Sequence, residues 1–230
     1  PSGVGEEALN RTLSRLESEK GPTLKTTMIV DSRAAASLIG RLMRPANAGS
    51  VQQGRSFWAA LMDEQAFSDK LTIVDDPLIK RGLASRHYDS EGISARALPI
   101  VENGIVRNIY VDTYYGRKGG MTPTTGSASN RVVTPGEHSL EQLLAEVGDG
   151  IYVTSWLGGN ADATTGDFSL GLRGHVIENG QVDRPVGEMN VTGNLKDLFG
   201  QLAMLGNDPY PYSSTLAPSL VFTDVDFSGA

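Results

Sequence analysis

Two Asn-Gly dipeptides, Asn103-Gly104 and Asn179-Gly180, constrain the fold of this chain more than any other feature. Each follows a glutamate and is flanked by aliphatic runs, 97–101 with 105–111 in the first case and 176–177 with Val182 in the second. Asn and Gly readily adopt the positive φ angles of a type I′ turn, which joins two antiparallel strands through two residues. The sequence therefore predicts two β-hairpins.

The remaining periodicity divides the chain into helices and further strands. Ser139 and Gln142 form a capping box, and Asp31 or Ser32 is placed to cap a second helix. We predict an α+β fold of one domain over 1–230, predominantly antiparallel β-sheet with about five helices. The predicted helices lie before Gly21-Pro22, over 33–43, near 57–62, over 140–147 and over 194–205. The predicted strands include 24–30, 71–74, 151–157 and an edge strand at 220–227, and the predicted loops are 45–54 and 121–130.

Charge and composition exclude several classes of function. The 230 residues carry a net charge of −7 without a basic cluster, so we expect no direct contact with nucleic acid. No apolar run approaches the roughly 18 residues of a membrane-spanning helix, and no secretory signal precedes the first helix, so we expect a cytoplasmic protein without a membrane partner. The chain has no cysteine, which removes disulfides, thiolate nucleophiles and cysteine zinc ligands together.

The residues able to do acid–base or metal chemistry form weak patterns. Ser85, His87 and Asp89 alternate, but residues two apart on a strand are about 6.5 Å from each other, too far for a nucleophile–base–carboxylate relay. His138 and His175 lack the second histidine or carboxylate that a helical zinc site requires. The carboxylates of the turns at 75–76 and 89–91 lack the alternating ligands of a calcium loop. We therefore predict no catalytic residue and no bound metal.

Two segments rich in small polar residues are candidates for contact with another chain. The first, at 126–130, lacks the G-K-[ST] ending of a phosphate-binding loop, and its glycine and serines allow another backbone to approach closely. The second, at 165–169, is similar in composition. The predicted peptide- or subunit-contact residues are Gly126, Ser127, Ser129, Asn130, Thr165, Gly166, Asp167 and Ser169.

Nine short segments, taken in order, resemble the C-terminal domain of the TldD/PmbA family, the proteins named modulators of DNA gyrase. The likeness covers nearly the whole chain, and the order of the segments makes it specific. The segments are LTIV with DDP at 71–77, RGLAS at 81–85, DSEG at 89–92, ENGI at 102–105, GSASN at 126–130, TGDFS at 165–169, ENG at 178–180, GNLKD at 193–197 and GND at 206–208.

The resemblance implies a protease system in which a zinc-bearing TldD-type subunit pairs with a PmbA/TldE-type subunit. In the zinc-bearing type a helix carries H-E-x-x-x-H, and a cysteine near the C-terminus completes the site. At the corresponding positions this chain has Ser32, Arg33 and Ser37. Serine hydroxyls are poor zinc ligands and an arginine does not act as a general base, so we predict no cofactor. The resemblance also implies an N-terminal α/β domain that is absent from this chain.

We therefore expect a non-catalytic PmbA/TldE-type subunit of a metalloprotease complex that processes peptides and unfolded proteins. Its expected partner is a TldD-type zinc subunit or a second copy of the chain. Two alternatives remain open at this point: an independent metal-free hydrolase that uses His87 or His175 as base, and a self-associating peptide-binding scaffold.

Overall fold

The computed structural model describes residues 3–229. It contains six α-helices and a 3₁₀-helix at Phe57–Ala60, close to the predicted number. The prediction of a loop over 45–54 is wrong, because this segment contains a short helix. Asn47 caps the helix, and its side-chain oxygen accepts a hydrogen bond from the Ser50 N–H at 2.9 Å. The α-helices are α1 Val4–Leu13, α2 Ser32–Met43, α3 Ala48–Gln52, α4 Thr113–Gly119, α5 Leu140–Val147 and α6 Leu195–Gly200.

Twelve strands form two sheets in the described part of the chain. Both predicted hairpins are present, although the strand predicted over 105–111 is limited to Ile105–Val106. The φ angles of Asn103, Gly104, Asn179 and Gly180 are all between +48° and +80°, as a type I′ turn requires. The strands are β1 Glu19–Lys20, β2 Leu24–Val30, β3 Ile73–Asp75, β4 Leu98–Glu102, β5 Ile105–Val106, β6 Arg131–Val133, β7 Gly150–Ala161, β8 Asp167–Glu178, β9 Gln181–Asn194, β10 Leu202–Leu205, β11 Thr215–Leu216 and β12 Leu220–Gly229.

The larger sheet has the order β1-β9-β8-β7-β2-β12-β10, and a further pairing of β12 with β9 closes five of its strands into a barrel. β12 pairs with β2, β9 and β10, so the prediction of an edge strand at 220–227 is wrong. The prolines that suggested an edge lie in the segment before the strand, where they interrupt no ladder hydrogen bond. The sheet is mixed, because β2 pairs with β7 in parallel.

The segment 194–205 folds as a helix followed by a strand. α6 ends at Gly200, and β10 then pairs antiparallel with β12, burying Leu202 and Leu205. The helix predicted over the whole segment is therefore wrong in its second half. The spacing of Leu202 and Leu205 suits a helix, but pairing with β12 decides the outcome.

The core joins the barrel to α2 and to the smaller sheet, whose order is β11-β6-β3-β4-β5. α2 buries Ala35, Leu38, Ile39 and Leu42, and Trp58 packs into the same core. The Trp58 Nε1–H donates to the Leu42 carbonyl at 2.9 Å, which fixes the end of α2. None of the helices within 3–229 has the length and apolar character that crossing a bilayer requires.

Candidate functional site

The site lies where β2 leaves the barrel and turns into α2. The Asp31 N–H donates to the Val153 carbonyl at 2.9 Å, which is the last backbone hydrogen bond between this segment and β7. The Asp31 carboxylate accepts from the Arg33 N–H at 2.9 Å and so caps α2. β2 thus stops pairing at Val30, while β7 continues to Ala161.

The continuation of β7 has one free edge. β8 pairs with it as far as Ala161 and Phe168, whereas no strand of the described chain pairs with its other edge beyond Val153. Leu157 is 49% exposed, and the backbone from Gly158 to Asn160 is exposed as well. A free strand edge presents unpaired N–H and C=O groups in a row, which is a template for pairing with another chain.

α2 runs beside this free edge in the same direction. At the start of the helix, the Trp156 Nε1–H donates to the Ala34 carbonyl at 3.0 Å. At its end, Arg41 and Arg44 line a cavity of about 70 Å³ together with residues 159–163. Arg33, Ser37, Arg41 and Arg44 fall within about 80° of one another around a regular α-helix. The free edge of β7 is thus bordered by one polar helix face.

Ser32, Arg33 and Ser37, the residues predicted to correspond to the zinc motif, lie on the first turns of α2. Ser32 is half-buried and Ser37 is exposed. The Arg33 guanidinium forms an ion pair with Glu7 and stacks on the Tyr210 ring, 4.5 Å from its centroid. Within 3–229 no group of three or more His, Cys, Asp or Glu side chains is placed to hold a metal ion. These residues do not fit zinc, and we derive no chemical step through a metal.

The candidate segment 165–169 forms the end of the turn after β7 and the start of β8, so Ser169 lies on the opposite side of β7 from the free edge. The Asn194 side chain donates to the Asp167 carboxylate at 2.9 Å, and the Thr165 hydroxyl donates to it at 2.8 Å. These two bonds lower the pKa of Asp167. Gly166 has φ +87° and is buried, whereas Thr165 and Ser169 are exposed.

The candidate segment 126–130 has an exposed part and a buried part. Gly126 and Ser127 are exposed, and Arg86 donates to the Ser127 hydroxyl at 3.0 Å. Ser129 and Asn130 are almost fully buried. The Ser129 N–H donates to the Asp75 carboxylate at 2.8 Å, and the Asn130 amide donates to Ser85 Oγ at 2.9 Å. Ser129 and Asn130 therefore hold the loop in place from within the chain.

The two candidate segments have different neighbours, and no hydrogen bond links them in the described chain. The alternating Ser85, His87 and Asp89 do not form a relay, because Ser85 donates to the Ile79 carbonyl and His87 is exposed. Burial raises the pKa of Asp89, but hydrogen bonds from three backbone N–H groups and the Thr125 hydroxyl outweigh this effect and hold the pKa below its usual value. Asp89 is thus a structural carboxylate that anchors its turn.

The other histidines are also engaged structurally. His175 is 5% exposed, and its Nε2 atom lies 2.8 Å from the Ser14 carbonyl at the end of α1. His138 lies near Glu146 on α5, with 3.5 Å between Nε2 and a carboxylate oxygen. Neither histidine lies near a serine hydroxyl in a nucleophile–base arrangement, so these contacts favour a structural role for both.

Sequence reasoning missed the free edge of β7. The predicted strand ended at Leu157, because Gly158 and Gly159 are typical of a turn. Both glycines have positive φ, +136° and +105°, and yet they stay paired with β8. The glycine pair was itself the available signal, since glycine inside a strand marks a bulge or a close approach of another backbone.

Comparison with known proteins places this architecture in a family. Residues 23–229 match the PmbA/TldA metallopeptidase C-terminal domain. The chain is 34% identical to metalloprotease PmbA of Escherichia coli O157:H7 over 231 residues, covering 100% of this chain and 51% of that protein. It thus spans about half the length of the curated relatives it matches.

Solved structures agree in fold. A crystal structure described as a DNA gyrase modulator, from Bacteroides thetaiotaomicron, superposes with a TM-score of 0.96 at 41% identity, over 99% of this chain and 52% of that one. TldE from Thermococcus kodakarensis superposes with a TM-score of 0.90 over 99% of this chain and 55% of that one, and its 21% identity supports the fold alone. The chain therefore belongs to the PmbA/TldD metallopeptidase family, as the resemblance of its sequence segments predicted.

Proposed function

We propose that the chain is a non-catalytic PmbA/TldE-type subunit that holds an extended peptide or unfolded segment for cleavage by a zinc-bearing TldD-type partner. The observation that carries the proposal is the free edge of β7 beside a helix without zinc ligands. Ser32 and Ser37 offer only hydroxyls at the motif positions, and the Arg33 guanidinium is engaged by Glu7 and Tyr210. The chain keeps a surface for a substrate backbone and lacks the groups that would hydrolyse it.

An extended peptide pairs with the free edge as an added strand. Main-chain hydrogen bonds then supply the affinity and tolerate many side chains, which suits a protein that receives varied peptides. The exposed side chain of Leu157 and the exposed Thr165 in the turn after β7 are the side-chain contacts in this proposal, whereas Ser169 lies on β8, on the other side of β7. Gly166 and Asp167 shape the turn that carries Thr165.

The segment 126–130 is the proposed contact for the partner subunit. Gly126 and Ser127 are exposed and touch the partner directly, whereas the buried Ser129 and Asn130 set the conformation of the loop. In this proposal the segment 165–169 contacts the peptide and the segment 126–130 contacts the partner subunit.

A cysteine scan tests where the peptide lies, because the chain has no cysteine of its own. Single Leu157→Cys, Ser127→Cys and Val182→Cys proteins are mixed with an extended hexapeptide that carries an activated disulfide. All three positions are exposed. We expect mass spectrometry to find rapid coupling at position 157 only. Equal coupling rates at all three positions contradict the peptide site.

Activity assays test the division of labour. The chain alone, a TldD-type zinc subunit alone and the mixture are incubated with fluorescently labelled unfolded casein. We expect no cleavage by the chain alone and faster cleavage by the mixture, and light scattering of the same samples distinguishes a heterodimer from a homodimer. Zinc-dependent cleavage by the isolated chain contradicts the non-catalytic role.

A further inference from the structure

The end of the free edge next to Arg41 and Arg44 has the features of an anion site. Arg41 lies in the last turn of α2 and is partly buried, and Arg44, the C-cap residue of the helix, is exposed. In the part of the chain that the structure describes, neither guanidinium forms an ion pair, and the Nε–H of Arg41 is buried without an acceptor. A buried donor without a partner is unfavourable, because it has lost its hydrogen bonds to water without replacing them. The hydrogen-bonding capacity of this pair is therefore not used within the chain.

The cavity beside the two arginines is small. Its volume is about 70 Å³, and residues 159–163 of β7 and the following turn complete its wall. A cavity needs only about 10–15 Å³ of such volume to hold a water molecule, so this one has room for a carboxylate group. Asp162 also lines the cavity, but its Oδ1 accepts from the Thr164 N–H at 2.6 Å, and two guanidinium charges exceed its single negative charge.

The free edge ends at this cavity. The Phe57 N–H donates to the Ala163 carbonyl at 3.0 Å. Phe57 therefore occupies the position next to Ala163 into which a longer added strand would extend. A peptide that pairs with β7 therefore stops close to Arg41 and Arg44. A peptide terminus, rather than a mid-chain residue, is the group that meets the guanidinium pair.

We propose that Arg41 and Arg44 bind the C-terminal carboxylate of a peptide that is paired with the free edge of β7. This inference rests on the proposed function and specifies the substrate class, peptides with a free C-terminus. The bound peptide runs in the same direction as β7, so it continues the parallel pairing that β2 makes with β7 as far as Val153. Guanidinium groups bind carboxylates through charge-assisted hydrogen bonds, which are roughly twice as strong as neutral ones.

Fluorescence anisotropy with a matched pair of peptides tests the inference. The probes are an N-terminally fluorescein-labelled Gly-Thr-Val-Thr-Val-Ala with a free carboxylate and the same peptide with a C-terminal carboxamide. We expect the free acid to bind about 10-fold or more tightly than the amide, because the amide cannot form charge-assisted hydrogen bonds with the guanidinium groups. In the Arg41→Gln/Arg44→Gln protein the acid is expected to bind no better than the amide.

Two controls and one replacement variant accompany this measurement. Arg117→Gln removes one positive charge from an exposed site on α4 and is expected to keep the preference for the acid. Arg44→Gln alone, at an exposed position, replaces the double variant if that protein does not fold. An amidated peptide with aspartate at its fourth position carries a carboxylate elsewhere and is expected to bind no better than the plain amide.

The outcomes separate this inference from the proposed function. Equal binding of acid and amide to the unaltered chain, with coupling retained at Leu157→Cys, overturns the carboxylate site and leaves the peptide-binding edge intact. Tight binding of the internal aspartate peptide overturns the choice of a terminal carboxylate. If neither peptide binds, the inference fails together with the peptide-binding role.

Discussion

The indole Nε1 atom of Trp156 lies 3.0 Å from the carbonyl oxygen of Ala34, and this hydrogen bond ties the free strand edge to the first turn of α2. Trp156 is half-buried and packs against the core from the barrel side. The bond joins the two elements that border the proposed peptide site, residues 122 positions apart in the chain. The bond thus adds to the core packing of α2 in setting the distance between the helix and the free edge.

Trp156→Phe is expected to lower the free energy of unfolding by about 1–2 kcal/mol, from one lost hydrogen bond and a modest loss of packing. It is also expected to weaken binding of the free-acid hexapeptide, because the contact between the first turn of α2 and β7 loses its hydrogen bond. Urea unfolding and anisotropy measure the two effects. Trp58→Phe is the matched control: Trp58 is fully buried and bonds to Leu42, so it is expected to destabilise more. Unchanged peptide affinity in Trp156→Phe contradicts this role.

Two buried tyrosines predict a loss of stability at high pH. Burial and the nearby carboxylates Asp75 and Asp31 raise the pKa of Tyr110 and of Tyr152, each of which donates to its carboxylate at 2.8 Å. Above pH ~10 the unfolded chain loses these protons while the folded chain keeps them. The free energy of unfolding therefore falls above that pH, by up to about 1.4 kcal/mol per pH unit for each tyrosine.

Unfolding measured between pH 8 and 11 checks this expectation. Tyr110→Phe and Tyr152→Phe each make the decline less steep, although both proteins are less stable at pH 8, where a carboxylate has lost a donor. Tyr212→Phe is the control, since Tyr212 is 77% exposed, and its slope is expected to match that of the unaltered chain. If neither Tyr110→Phe nor Tyr152→Phe changes the slope, the two tyrosines are not the cause of the decline.

Asp89 predicts a separate loss of stability in acid. Its pKa is lowered in the folded state, so the carboxylate stabilises the fold above the unfolded pKa of about 3.9, and this stabilisation is lost as the pH falls through the lower folded value. Asp89→Asn is expected to cost about 1–3 kcal/mol at pH 7 and to lose less on acidification. Urea unfolding at pH 7 and pH 3.5 measures both, with the exposed Asp183→Asn as control. Equal stability of Asp89→Asn and Asp183→Asn at pH 7 contradicts the anchoring role.

Metal chelation is expected to leave the chain unchanged. Ser32, Arg33 and Ser37 stand at the predicted zinc-motif positions, so we expect no stoichiometric zinc in the purified protein and the same melting temperature with and without phenanthroline. Elemental analysis and thermal unfolding are the measurements. One equivalent of zinc with a chelator-sensitive melting temperature contradicts the proposed non-catalytic role.

Local signals in the sequence were sufficient for the elements that depend on local chemistry. The Asn-Gly turns formed as predicted, Ser139 and Gln142 make the predicted capping box, and β2 occupies Leu24–Val30 as expected. In each case a few adjacent residues satisfy backbone groups or fix φ without help from the rest of the fold. The family resemblance rested on the same kind of short, ordered segments.

Features that depend on pairing between distant segments could not be predicted from the local sequence. The prolines before β12 are typical of an edge strand. Its position inside the sheet results from its pairing with the distant strand β9, which the local sequence does not indicate. The candidate residue Ser129 looked like part of a flexible loop, yet its N–H and hydroxyl both bind the buried Asp75, 54 positions away. The free edge of β7 exists only because β2 ends earlier than β7, which neither strand's sequence reveals.

Gly159 shapes the free edge, and its replacement tests how closely the edge is fitted to β8. Its φ is +105°, and a Cβ atom at this position would lie 2.1 Å from the Ser169 carbonyl oxygen. Gly159→Ala is therefore expected to lower the free energy of unfolding by about 1–3 kcal/mol through backbone strain, with further loss from displacement of β8. Gly40→Ala is the matched control, because a Cβ at Gly40 meets no atom within 4 Å and the residue lies inside α2. That substitution is expected to raise stability by about 0.5–1 kcal/mol. Because the Gly159→Ala backbone must move to relieve the contact, the free-acid hexapeptide is also expected to bind less tightly to it than to Gly40→Ala, and equal affinity for both proteins contradicts binding at this edge.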